Sequence, residues 1–147
     1  MEKYRVLVIE DSGEIAYQIR LRLEKENYIV LTASDGDAGL EKAREEHPDL
    51  ILLDLMLPKL DGYKICRMLK FDRTYEQIPI VILSARTLEQ DQELAAEAGA
   101  DAYLTKPINW KILLETMQRL LKNPVAGSDE QHLYSPDDDV ESKVDQQ

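Results

Sequence analysis

The chain has 147 residues, 44% of them hydrophobic, and its 29 acidic against 18 basic side chains leave a net charge of −11. That is material for one domain with one sizeable core, and its acidic surface argues against binding nucleic acid or an anionic membrane. The single cysteine, Cys66, excludes an intramolecular disulfide and a cysteine-based zinc site. No apolar run nears the ~20 residues of a membrane span and no leader precedes the first strand, so a cytoplasmic protein is expected.

Along the chain, short apolar runs alternate with stretches of helical spacing. Arg5 to Ile9 is a run that ends in Glu10-Asp11. A helix is expected from Gly13 to Glu26, with Ile15, Ile19 and Leu23 spaced by four. Ile29 to Ala33 is a second run. Asp35-Gly36 opens a helix that His47-Pro48 stops. Leu50 to Leu53 is a third run, closed by Asp54, and a loop with Pro58 and Gly62 leads into a helix over 62–71. Ile80 to Leu83 is a fourth run, ending at Ser84. A helix from Thr87 to Ala98 follows, closed by Gly99. Asp101 to Leu104 is a short fifth strand, and Asn109 caps a last helix that reaches Lys122.

The remainder differs in composition. Residues 124–147 hold seven acids and one base, with Val125, Leu133, Val140 and Val144 as their only aliphatic residues. Such a segment buries too little apolar surface to offset its ordering entropy. The expected division is therefore a folded domain over 1–123 and an acidic tail, or a truncated linker, over 124–147.

Strands apolar at nearly every position are covered on both faces, which implies a parallel sheet. Right-handed crossovers then produce an open, doubly wound α/β sheet. The pattern fits a flavodoxin-like (βα)5 sheet in the order 2-1-3-4-5, or half of a dinucleotide-binding fold. The second lacks its fingerprint, because Glu10-Asp-Ser-Gly13 holds no glycine-rich phosphate loop.

Ligands of such sheets sit outside the carboxyl ends of the strands. Glu10, Asp11 and Asp54 gather there, with Ser84 and Lys106 beyond the fourth and fifth strands. Three carboxylates in one partly buried site need a cation, and an oxygen-only donor set points to Mg²⁺. A cation, a lysine and a hydroxyl facing one carboxylate can stabilise a phosphoryl group, and Asp54 is placed to be the nucleophile.

These residues resemble the receiver domain of the two-component response regulators, the CheY-like family. The likeness covers residues 4–122 and rests on Glu10-Asp11, Asp54 with Pro58 and Asp61-Gly62, Ser84-Ala85, and Gly99 through Lys106-Pro107. It implies that Asp54 accepts a phosphoryl group from a histidine kinase or a His-phosphotransfer protein. It implies Mg²⁺ on Glu10, Asp11, Asp54 and the backbone carbonyl of Met56. It further implies that Ser84 and Lys106 contact phosphoryl oxygens, that Ser84 and Tyr103 act as the switch, and that Lys106–Pro107 is cis. Phosphorylation is expected to draw Ser84 toward the phosphoryl group and let the Tyr103 ring turn inward. Met56 and Arg86 fall where the family lines the path of the hydrolytic water, and neither orients a water well, so the phosphoryl group should be long-lived.

Plainer roles compete at several positions. A strand-end acid also serves as a helix cap. Tyr103 also reads as a half-buried strand aromatic, and Cys66 as a packing residue.

Three functions fit the residues. The first is a stand-alone phosphorylation switch without enzymatic activity of its own. The second is the receiver part of a longer DNA-binding regulator. The third is a phosphatase of the haloacid dehalogenase type, which needs an acid two residues past the nucleophile, where Met56 stands. Winged-helix regulators carry an acid and an arginine in the last helix where this chain has Ile112 and Thr116, a departure that favours the stand-alone reading. With Leu113, Met117 and Leu120 filling the core stripe, Ile112 is expected outside, marking a homodimer through the fourth helix, fifth strand and fifth helix.

Overall fold

A computed structural model describes residues 3–122 except 59, 87 and 88. The acidic segment over 124–147 lies outside the described residues. The elements follow one another as β1 (Arg5–Ile9), α1 (Gly13–Lys25), β2 (Ile29–Ala33), α2 (Gly36–Glu46), β3 (Leu50–Asp54), α3 (Gly62–Lys70), β4 (Ile80–Ser84), α4 (Glu89–Glu97), β5 (Ala102–Thr105) and α5 (Trp110–Lys122). All strand pairs are parallel, in the order β2-β1-β3-β4-β5. This is the flavodoxin-like α/β sheet that the apolar runs imply.

Alternation along each strand divides the interior into two layers. Val6, Val8, Leu50, Leu52, Val81 and Leu83 face Ile19 and Leu23 of α1 and Leu113 and Met117 of α5. Leu7, Ile9, Ile51, Leu53, Ile80 and Ile82 face Leu40 of α2, Ile65 and Leu69 of α3, and Ala95 of α4. Each such buried aliphatic side chain contributes roughly 1.5–3 kcal/mol. Among the described residues no helix is long and apolar enough to cross a membrane.

Local signals place the helix starts. Ser12, Asp35 and Asp61 accept the N–H of Ile15, Ala38 and Lys64 as N-caps of α1, α2 and α3. Asn109 accepts the Ile112 N–H at 3.1 Å and so caps α5. Gly99, at φ +96°, ends the α4 turn in a backbone region that L side chains disfavour. Cys66 is buried in the α3 layer, as its packing role requires.

Ile112 departs from expectation. It is half-buried and packs against the layer beneath α1 and α5, and Thr116 beside it is buried. The last helix sits deep enough that Leu113, Thr116, Met117, Leu120 and Leu121 are all buried, so its apolar stripe is too wide to leave Ile112 outside.

Candidate functional site

The five strands deliver their C-terminal residues to one edge. Glu10 follows β1, and its N–H donates to the Ala33 carbonyl at 3.0 Å, which continues the β1–β2 ladder one step beyond the strand. Asp54 is the last residue of β3 and Ser84 the last of β4. The Lys106 N–H donates to the Ser84 carbonyl at 2.8 Å, and this extends β5 far enough to aim the lysine at the first and third strands. The Lys106–Pro107 bond is cis.

Glu10 and Asp54 are almost fully buried, Ser84 is fully buried, and Asp11 is exposed. Carboxylate oxygens of Glu10, Asp11 and Asp54 all lie within 4.8 Å of one another. Lys106 Nζ stands 3.0 Å from Glu10 Oε1 and 3.6 Å from Asp54 Oδ1. The Met56 N–H donates to Asp54 Oδ1 at 3.2 Å, and the Ser12 N–H to Glu10 Oε2 at 3.2 Å. Burial, and then the charge of Glu10, raise Asp54 to about 6, against the opposing pull of Lys106 and of the Met56 N–H. One ammonium does not neutralise this cluster. The donors are hard oxygens, so the residues present fit a small divalent cation.

The loop after β3 is held from behind. The Gly62 N–H donates to the Leu55 carbonyl at 3.0 Å. A Cβ on Gly62 would lie 2.8 Å from Leu55 Cα and 2.9 Å from the Asp54 carbonyl oxygen. Helix α3 can therefore back onto the Asp54 peptide only through a glycine.

Tyr103 requires a correction. Its ring is already buried against the α3 and α4 layer, and its hydroxyl donates to the Arg86 carbonyl at 2.8 Å. The ring is therefore inside this layer rather than half-buried on the strand. Burial raises the phenol pKa. Ser84 Oγ accepts the Arg86 N–H at 2.9 Å, so hydroxyl and ring both end on the backbone of one residue.

Of the residues singled out in the sequence, Glu10, Asp11, Asp54, Met56, Ser84 and Lys106 lie at this edge, whereas Tyr103, Cys66 and Ile112 lie in the core layers. Met56 is at the rim with its side chain exposed. The sequence reading missed Tyr63 and Asp91. The Tyr63 hydroxyl donates to Asp91 Oδ1 at 3.1 Å, and Arg86 Nη2 pairs with the same oxygen at 3.2 Å. The available signal was the spacing of Asp91 with Ala95 and Ala98, which puts an acid on the apolar stripe of its helix.

The profile of the family described as response regulator receiver domain matches residues 6–118. The chain is 45% identical over 105 residues to the alkaline phosphatase synthesis transcriptional regulatory protein PhoP of Bacillus subtilis, a match covering 71% of this chain and 43% of that protein. It is 36% identical over 117 residues to protein PilH of Pseudomonas aeruginosa, covering 80% of this chain and 97% of that protein. The solved chemotaxis response regulator CheY4 of Vibrio cholerae superposes with a TM-score of 0.77 at 31% identity, covering 82% of this chain and 100% of that one. The chain spans about half the length of the transcriptional regulators it matches.

Proposed function

The chain belongs to the response regulator receiver domain family, and from that premise we propose that it is a phosphorylation switch with Asp54 as the phosphoacceptor. The observation that carries this reading is the meeting of Glu10, Asp11, Asp54 and Lys106 at one sheet edge, where an unneutralised carboxylate faces an ammonium. Glu10, Asp11 and Asp54, with the Met56 carbonyl, are the residues that hold Mg²⁺ in this reading. Bound there, the ion offsets the repulsion between the carboxylates and an anionic donor.

An Asp54 carboxylate oxygen attacks phosphorus, an acyl–phosphate bond forms, and the bond from phosphorus to the donor nitrogen or oxygen breaks. The leaving group departs with that electron pair. Lys106 holds one phosphoryl oxygen, and the Ser84 hydroxyl donates to another. The Tyr103 ring, already inside, is held there rather than drawn in.

The donor partner is a histidine kinase or a His-phosphotransfer protein in the cytoplasm. Exposed Tyr17 on α1 lines a pocket with Glu10 and Asp11, and exposed Leu21 lies one helical turn further along; the pair suits a helical donor surface. Self-association through α4, β5 and α5 draws on exposed Leu94 and on charge, with exposed Glu89, Glu93 and Glu97 on α4 and exposed Arg119 and Lys122 on α5.

Incubation with acetyl phosphate and Mg²⁺, followed by intact mass, tests the assignment. One phosphoryl adduct is expected on the wild type, with Mg²⁺ only, and none on Asp54→Asn. Full labelling of the variant would sink the reading.

A further inference from the structure

Beside the carboxylate cluster lies a buried titratable group that the proposed chemistry does not use. Asp91, on α4, is 2% exposed, and among the described residues its Oδ2 has no hydrogen-bond partner. Its Oδ1 meets the Tyr63 hydroxyl and the Arg86 guanidinium, and Arg86 is the cation within pairing distance among the described residues. The same guanidinium reaches the rim of the acceptor pocket. Its Nη1 lies 3.8 Å from Met56 Sδ, and the Met56 N–H is bound to Asp54 Oδ1.

Resting on the phosphoacceptor reading, we propose that Arg86 is a latch contested by two anions: it neutralises Asp91 while Asp54 is unmodified, and a phosphoryl group on Asp54 draws it away and forces α4 to re-seat. A phosphoryl group carries about −1.5 to −2 charges near neutral pH and offers the oxygens that a guanidinium fork fits, so it competes well with a single carboxylate. Losing Arg86 strands a buried carboxylate with a tyrosine hydroxyl alone, an uncompensated charge that the fold tolerates poorly. Water relieves it, and water reaches Asp91 only if the first turn of α4 moves. Little resists that movement, because among the described residues the other buried side chains of this helix and its end are Ala95 and Ala98. The backbone of Arg86 is meanwhile tied to Ser84 and Tyr103, so hydroxyl, ring and helix all meet at one residue. Coupling of this kind is reciprocal: whatever frees Arg86 from Asp91 tightens binding at Asp54.

The test uses the full chain with Mg²⁺ and beryllofluoride as phosphoryl mimic, reading affinity by calorimetry and the amide exchange of residues 89–97. In wild type, exchange in α4 should accelerate on binding. In Arg86→Gln it should be fast already and change little with the mimic. In Asp91→Asn, whose side chain needs no cation, α4 should stay protected and affinity should rise about fivefold. Arg86→Gln exchange matching wild type in both states overturns the latch, as does unchanged affinity in a folded Asp91→Asn. If Asp91→Asn does not fold, Arg86→Gln decides alone, since the Arg86 side chain is about half exposed. Beryllofluoride binding that is absent from wild type, or retained by Asp54→Asn, overturns the phosphoacceptor reading and the latch together. Normal binding with exchange indifferent to Arg86 overturns the latch alone.

Discussion

The Lys106 ammonium sits closer to Glu10, at 3.0 Å, than to the Asp54 carboxylate, at 3.6 Å. It lowers the charge density of the whole cluster rather than pairing with the acceptor alone. In Lys106→Met, Asp54 should titrate higher than in wild type by about one pH unit without metal, because a nearby opposite charge is gone. Carboxyl-carbon NMR across pH 4–9 reads this directly. An unchanged midpoint would show that the lysine has no electrostatic hold on the acceptor.

Asp54 also links stability to pH. Its pKa is raised from 3.8 to about 6 in the fold, so its contribution is fully present below 3.8 and is lost as pH rises through 6. Without metal, Asp54→Asn should therefore be more stable than wild type at pH 8 by about 1–3 kcal/mol, and the gap should close near pH 4. Mg²⁺ should then stabilise wild type more than the variant. Urea unfolding at both pH values, with chelator and with Mg²⁺, checks all three statements.

Two glycines should respond in opposite ways. A Cβ on Gly62 would meet the backbone of Leu55 and Asp54 below 3.0 Å, and backbone cannot step aside. Gly62→Ala is expected to cost about 1–3 kcal/mol and to weaken Mg²⁺ binding, since the displaced peptide carries Asp54. A Cβ on Gly13, the first residue of α1, would meet nothing within 4 Å, so Gly13→Ala should be neutral or slightly stabilising. Thermal melts and Mg²⁺ titrations of the pair provide the contrast.

Ile112 packs on the core, so Ile112→Glu should lower stability by about 1–2 kcal/mol even in the monomer. Leu94, exposed on α4, is the cleaner probe of self-association: Leu94→Glu should stay within about 0.5 kcal/mol of wild type. Sedimentation with and without beryllofluoride, run on both variants and wild type, separates a lost interface from a damaged fold. Monomeric profiles throughout would exclude the dimer.

The Met56 side chain is exposed at the rim beside Arg86. A carboxamide there could orient the attacking water as a thioether cannot. Decay of the acyl phosphate in Mg²⁺ should be severalfold faster in Met56→Asn. Equal decay rates would show that this position does not control the lifetime.

Strand order, the two core layers and the edge that collects the functional groups were all legible in the chain. Runs such as Leu50–Asp54 and Ile80–Ser84 are apolar throughout until their last residue, and only a parallel sheet covered on both faces accommodates them. Parallel strands all end on one side, so the residues closing the first, third and fourth runs were candidate site residues before any distance was known. What the chain could not show were relations set by helix depth and by side-chain reach. Ile112 carries the same apolar label inside or outside, and the seating of α5 decides between them. Tyr103 suits either position, and the hydroxyl bond to the Arg86 carbonyl settles it. Asp91 lies 5 residues from Arg86 in sequence, and its spacing with Ala95 and Ala98 puts it on the buried stripe without showing what balances its charge. Its desolvation is tolerated because a guanidinium from the β4–α4 connection and a phenol from α3 arrive at the same oxygen, and only tertiary packing brings those three groups together.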